Sequence, residues 1–291
     1  MTDTTDATVG AGAPERVGVL GGGRMGAGIA HAFVLAGSQV VVVERAADAA
    51  HAADERVRAS LAKSVERGWA EPLDDLTGRI RVATDVSAFA DADLVIEAVP
   101  EDEALKAEAL ARVEAVLHDR AALASNTSSI SIGRLAASLE RPARFLGLHF
   151  FNPVPASTLV EIVLGDDTDP RLANDARAWV EAIGKAPVTV HDAPGFASSR
   201  LGVAIGLEAI RMVEEGVASP GDIDLAMELG YKHPTGPLRT TDIVGLDVRL
   251  GIAEQLHREL GPRFAPPALL RQMVAEGRLG KKSGRGFYDW T

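Results

Sequence analysis

The stretch Val17-Gly18-Val19-Leu20-Gly21-Gly22-Gly23-Arg24-Met25-Gly26 decides the fold. It sets Gly21, Gly23 and Gly26 in a G-x-G-x-x-G spacing directly after an apolar run that reads as a buried β-strand. Ala27 to Gly37 reads as a helix with a glycine stop, and Gln39 to Val43 as a second strand that ends in Glu44. Strand, glycine turn, helix, strand and acid form the βαβ unit that binds a dinucleotide. Gly21 permits the tight turn, Gly23 lets the backbone approach a pyrophosphate, and Gly26 lets helix and strand pack closely. Arg24 and Met25 complete the same turn, and the helix start offers free N–H groups and a positive dipole end to the phosphates. Glu44 can accept hydrogen bonds from the adenosine ribose hydroxyls and would repel a 2′-phosphate, which favours NAD over NADP. The neighbouring Arg45 is the opposite signal, since an arginine there could meet that phosphate.

Composition narrows the class. A chain of 291 residues with 46% hydrophobic content can build one large or two smaller domains around a proper core. Cysteine is absent, which excludes disulfides, thiolate catalysis and cysteine-ligated metals and fits a reducing cytoplasm. A formal net charge of −11 argues against nucleic acid as a partner, and any anionic ligand then needs local basic groups. No apolar run is long enough to span a membrane. Residues 1–14 are rich in Thr, Ala, Gly and Asp and read as a disordered tail, not a signal peptide.

From residue 15 to 192 strands and helices alternate. Strands are expected at Arg16–Leu20, Gln39–Glu44, Arg79–Ala83, Asp93–Ala98, Ala121–Asn126 and Phe145–His149, with Leu159–Leu164 and Pro187–His191 extending the sheet. Helices are expected at Leu105–Leu117, Ile132–Ala137 and Asn174–Ile183. Ala193-Pro194-Gly195 breaks this pattern, and residues 193–291 read as helical. Arg200–Glu215 is a long helix whose Gly202, Ala204, Gly206 and Ala209 would admit a close neighbour. Ser219 and Pro220 start another that ends at Gly230, followed by helices over Ile243–Leu260 and Pro267–Glu276. The predicted fold is α/β: a Rossmann-type doubly wound domain followed by a smaller all-α domain.

Three stretches, Ser125–Ser129, Gly147–Pro153 and Leu159–Val163, sit at or just past sheet strands, where ligands bind in such folds. His149 closes an apolar strand and could exchange a proton near neutral pH, as alcohol–ketone redox chemistry requires. Glu161 lies inside an apolar strand, where a carboxylate is costly without a partner; pairing with His149 would supply one and fix the imidazole tautomer. Ser128, in a serine-rich turn after a strand, could hydrogen-bond an alcohol or carbonyl oxygen. A structural histidine and a helix-capping serine explain the same residues without chemistry. No spacing suggests a metal site.

Ordered motifs then carry a resemblance. They are GVLGGGRMGAGIA from Gly18, DLVIEAVPED from Asp93, ASNTSSISI from Ala124, GLHFFNPVP from Gly147, PGFASSR from Pro194, YKHPTGP from Tyr231, DIVGLD from Asp242 and GRLGKKSGRGFYDW from Gly277. From about Arg16 to Trp290 the chain resembles the 3-hydroxyacyl-CoA dehydrogenase family in its short bacterial form. The resemblance implies NAD-dependent interconversion of (S)-3-hydroxyacyl-CoA and 3-ketoacyl-CoA, with His149 as acid/base, Glu161 as its paired acid and Ser128 touching substrate and cofactor. It further implies cofactor contacts from Glu101, Lys106, Asn152 and Lys282, CoA contacts from Ser60 and Arg67, and a homodimer formed through the second domain. Arg56, Arg58 and Lys63 add basic charge to the Ser60–Arg67 arm, suited to CoA phosphates or simply to a solvated helix face. One departure stands out: Ser199 occupies a position that is commonly Asn in the family and belongs to the active site, which touches on substrate preference. The alternatives are a related dehydrogenase of a non-CoA hydroxy acid such as L-gulonate, and a non-catalytic NAD-binding protein.

Overall fold

The computed structural model describes residues 12–290. Most of the tail read over residues 1–14 therefore lies outside the described residues. Ala13 and Pro14 depart from that reading: Ala13 packs against the hydrophobic core, and the buried Pro14 accepts a 2.6 Å hydrogen bond from Ser38 Oγ through its carbonyl. The chain divides into two compact units after Asp192.

The first unit is built on an eight-stranded sheet. Its strands are β1 (Arg16–Leu20), β2 (Gln39–Val43), β3 (Ile80–Ala83), β4 (Leu94–Glu97), β5 (Ala122–Ser125), β6 (Phe145–Phe150), β7 (Leu159–Leu164) and β8 (Ala186–His191), in the order β3-β2-β1-β4-β5-β6-β7-β8. Every pairing is parallel except β6 with β7. Continuous apolar runs such as Leu94-Val95-Ile96 are buried along their whole length because helices cover the faces of a parallel sheet. Register brings Leu20 beside Val43 and Glu97, and Glu97 beside Ser125. The carboxyl ends of the central strands thus share one edge.

Between the strands run α1 (Arg24–Leu35), α2 (Ala47–Glu66), α3 (Leu73–Thr77), α4 (Glu103–Glu114), α5 (Ile132–Ala136) and α6 (Pro170–Ala182). Helix α6 starts earlier than the sequence pattern suggested, because Asp169 caps it by accepting from the Arg171 amide at 2.8 Å and Pro170 occupies its first turn. The glycine turn is tight for identifiable reasons. Gly21 has φ +95°, and a Cβ on Gly26 would sit 1.8 Å from the Gly21 carbonyl oxygen. A Cβ on Gly22 would meet the Ala53 Cβ of α2 at 2.3 Å, so α2 lies directly over the turn. A Cβ on Gly23 would meet nothing within 4 Å.

The second unit is helical, with α7 (Ser198–Glu214), α8 (Pro220–Tyr231), α9 (Pro237–Val244), α10 (Leu246–Leu260) and α11 (Ala268–Ala275) around a core that includes Val203, Leu207, Ile210, Leu238, Leu256 and Met273. Two helix boundaries differ from the sequence pattern. The single helix read over Ile243–Leu260 is broken at Gly245, whose φ of +105° ends α9 and starts α10. Gly230 lies inside α8, and the left-handed cap is Lys232 at φ 62°. The small residues of α7 also serve this unit's own packing: Gly206 and Ala209 are buried, and a Cβ on Gly206 would stand 3.2 Å from Thr241 Oγ1 of α9. The buried Asp242 accepts from the Phe287 and Tyr288 amides at 2.9 Å and from Trp290 Nε1 at 2.8 Å, which fastens the chain's final motif to α9.

These glycine environments separate packing from ligand demand. Gly26→Ala is expected to lower unfolding stability by about 1–3 kcal/mol or more through overpacking, while Gly23→Ala is expected to stay within about 0.5 kcal/mol. Denaturant midpoints of the two variants check this; equal losses would contradict it.

Candidate active site

Strand β7 returns antiparallel to β6, and the register sets His149 directly opposite Glu161. His149 Nδ1 and Glu161 Oε2 lie 2.8 Å apart, with the histidine 6% and the glutamate 1% exposed. The Phe151 ring packs on the imidazole with centroids 4.4 Å apart. The Glu161 contact fixes one face of the tautomer problem: Nδ1 faces the carboxylate, and proton exchange with a ligand falls to Nε2.

Asn126 ties this pair to the turn that follows β5. Its Oδ1 accepts a 2.9 Å hydrogen bond from the Phe150 amide, joining the ends of β5 and β6. Beyond it, Thr127, Ser128 and Ser129 converge on Glu101. One oxygen, Oε1, receives Thr127 Oγ1 at 2.7 Å, the Ser128 amide at 2.9 Å, Ser128 Oγ at 3.2 Å and Ser129 Oγ at 3.1 Å. The other, Oε2, lies 3.3 Å from Lys106 Nζ. Burial raises the affinity of the Glu101 carboxyl for a proton, but the Lys106 ammonium and the Thr127 and Ser128 hydrogen bonds more than offset that and hold it below the usual carboxylate range.

Lys106 itself is 1% exposed. It donates to Glu97 Oε1 at 2.7 Å and to the Val99 carbonyl at 3.1 Å. Glu97, fully buried at the end of β4, also accepts from the Val99 amide at 2.6 Å and from Ser125 Oγ at 2.5 Å. The structure therefore places Lys106 behind Glu101 and not at the surface. Glu97 was missed in the sequence because it reads as one polar residue in an apolar strand; the lysine nine positions later, on the next helix, was the available signal.

The glycine turn fits a dinucleotide. The space beside Gly23 is open, Gly23 caps α1 without a side chain, and no acid occupies the first turn, so the helix N–H groups and dipole suit a pyrophosphate. Arg24 and Met25 form that first turn. Glu44 reaches the same turn, its Oε1 accepting from the Gly22 amide at 2.7 Å and its Oε2 from the Arg45 amide at 3.2 Å. Arg56, grouped by the sequence with the CoA-facing arm, instead donates from Nη1 to the Gly22 carbonyl at 3.1 Å.

The remaining positions sit on other elements of the two units. Ser60 lies on α2, and Arg67 follows its end with its guanidinium 4.8 Å over the Trp69 ring; a spacing of seven residues puts them on one helix face. Arg58 is paired with Asp54 at 2.7 Å, and Lys63 is exposed. Asn152 is exposed and precedes a cis bond to Pro153. In the second unit, Ser199 belongs to the first turn of α7, after two left-handed residues, Gly195 and Phe196. Lys282 Nζ pairs with Asp247 at 2.6 Å. Among the described residues no group of three His, Asp or Glu side chains could hold a metal ion, and no helix is long and apolar enough to cross a membrane.

Residues 16–193 match the family model for the NAD-binding domain of 3-hydroxyacyl-CoA dehydrogenase, and residues 195–290 match the model for its C-terminal domain. A 3-hydroxybutyryl-CoA dehydrogenase of Mycobacterium tuberculosis is 45% identical over 281 residues, covering 95% of this chain and 98% of the relative. A probable 3-hydroxybutyryl-CoA dehydrogenase of Deinococcus radiodurans is 42% identical over 94% of this chain and the whole of that protein. The crystal structure of (S)-3-hydroxybutyryl-CoA dehydrogenase from Ralstonia eutropha superposes with a TM-score of 0.91 at 38% identity, covering 96% of this chain and 100% of that one. With both of its units matched in order, an NAD-binding sheet domain and a helical domain, the chain belongs to the 3-hydroxyacyl-CoA dehydrogenase family.

Proposed function

We propose that the protein interconverts (S)-3-hydroxyacyl-CoA and 3-ketoacyl-CoA with NAD, the four-carbon pair 3-hydroxybutyryl-CoA and acetoacetyl-CoA being its main substrates. The observation that carries this reading is the buried His149–Glu161 pair, 2.8 Å apart, on the sheet edge that also bears the glycine turn and the Ser128 turn. Names borne by relatives at 42–45% identity support the four-carbon chain length.

In the direction of ketone reduction His149 delivers a proton to the 3-oxygen; in alcohol oxidation it takes that proton away. The Glu161 carboxylate keeps Nδ1 in place and stabilises the imidazolium when the ring carries both protons. Ser128 and Ser199 orient the substrate oxygen. NAD, when bound, supplies the two-electron redox partner for C3. The glycine turn (Gly21, Gly23, Arg24, Met25 and Gly26), Glu44, Glu101, Asn152 and Lys282 hold the cofactor, with Lys106 standing behind Glu101. Ser60 and Arg67 receive CoA, whose anionic groups need that local basic charge on a chain of net charge −11. A cytoplasmic setting completes the reading, which a cysteine-free sequence fits.

The test is NADH consumption with acetoacetyl-CoA, longer 3-ketoacyl-CoA esters and a free sugar acid, with NADPH in parallel. Acetoacetyl-CoA with NADH is expected to be the best pair, and His149→Ala is expected to lower its rate by about 10²–10⁴-fold, measured well below the variant's lowered melting temperature so that the loss is one of chemistry and not of folding. No turnover with any ketoacyl-CoA, or near-native turnover by the alanine variant, would overturn the reading.

The same reading makes the protein a homodimer through its helical unit. Support comes from apolar side chains left exposed there in i,i+4 pairs: Leu201 at 62% and Ile205 at 37% on α7, and Leu225 at 49% and Leu229 at 63% on α8. Sedimentation at micromolar concentration is expected to give twice the chain mass, and Leu201→Lys with Leu229→Lys to shift it toward the monomer. A monomeric wild-type protein would refute this part.

A further inference from the structure

We propose that Glu97 is a positioning residue for this reaction, setting the Ser128 hydroxyl through Lys106 and Glu101. The inference rests on the dehydrogenase reading above, in which Ser128 meets the substrate oxygen.

A lysine ammonium has three donors. Lys106 directs them at Glu97, the Val99 carbonyl and Glu101, at 2.7, 3.1 and 3.3 Å. The shortest goes to Glu97, so the buried glutamate fixes where the ammonium stands. Lys106 in turn is the charge that faces Glu101 Oε2. Glu101 is then anchored on one oxygen and crowded on the other. Four donors share Oε1, where a carboxylate oxygen has room for about two. Of the four, Ser128 Oγ makes the longest contact, at 3.2 Å. Its hydroxyl is held in direction yet exchanged at little cost when a substrate oxygen arrives. Glu97 reaches the same turn by a second route, since Ser125 Oγ both donates to Glu97 and accepts from the Thr127 amide at 3.2 Å. Two carboxylates joined by one lysine therefore grip the turn from both ends.

Removing the Glu97 charge leaves Lys106 with Glu101 as its one acidic partner. Glu101 is expected to draw toward the ammonium and release the serine hydroxyls. Glu97→Gln keeps the shape of the side chain and removes the charge. Its expected effect is a fall of about tenfold in kcat for acetoacetyl-CoA reduction with KM within about twofold, the signature of an interaction that matters in the transition state. In the cofactor-free protein, the Thr127 and Ser128 amides are expected to exchange hydrogen at least about tenfold faster, a sign of local opening of that turn.

A double-mutant cycle separates positioning from general support. If Glu97 acts through Ser128, Glu97→Gln costs less than about twofold in a Ser128→Ala background. Losses that simply multiply would overturn the proposal. If Glu97→Gln does not fold, the Glu97→Gln, Lys106→Met pair removes both buried charges and enters the same cycle. An inactive wild-type protein would instead refute the dehydrogenase reading; an active one with multiplying losses refutes only the role of Glu97.

Discussion

Glu161 sits in the middle of an apolar strand at 1% exposure, and the reversal of the sheet between β6 and β7 is what gives it His149 as a hydrogen-bonded neighbour. A buried charge without compensation is costly, and removing one member of such a pair typically costs about 3–5 kcal/mol. Antiparallel pairing puts the two residues directly opposite one another, so the backbone register itself sets their separation. A parallel continuation of the sheet would have needed a crossover helix and a different alignment. The one antiparallel step in an otherwise parallel sheet thus brings His149 and Glu161 together at the edge where ligands bind such folds.

The same edge organises the rest of the first unit. Glu97 ends β4, Ser125 ends β5, and the turn beyond Ser125 is held to Glu101 and to β6 by side-chain hydrogen bonds. At the other end of the row, the glycine turn is squeezed between β1 and α2, with Gly22 against Ala53 and Gly26 against the Gly21 carbonyl. Gly23 alone of these glycines has open space where a side chain would go. Tight packing therefore falls on Gly22 and Gly26, while Gly23 leaves open space in the same short loop.

Much of this was legible in the sequence. Short continuous valine, leucine and isoleucine runs bounded by turn residues mark strands of a sheet covered on both faces, and His149 and Glu161 stood out as polar residues in apolar strands. Glu97 carried the same signal and was passed over, because its partner Lys106 lies on a following helix and periodicity says nothing about contacts between elements. Arg56 reads as one of several bases on a CoA-facing arm or a solvated helix face, and only the packing of α2 over the glycine turn brings it to the Gly22 carbonyl. Helix boundaries failed where glycine was ambiguous: Gly230 continues a helix and Gly245 breaks one, a difference set by backbone φ and not by residue type. Gly206 seemed suited to a partner helix and proved to face Thr241 and Arg249 of its own unit.

The central claim is that His149 and Glu161 act as one proton-transfer unit, with the carboxylate working only through the imidazole. The most direct measurement is kcat for acetoacetyl-CoA reduction by His149→Ala, Glu161→Gln and the double variant. The expected result is that Glu161→Gln slows the wild-type enzyme by about tenfold or more and costs the His149→Ala enzyme almost nothing, as for residues that act as a unit. Independent, multiplying losses would contradict the claim.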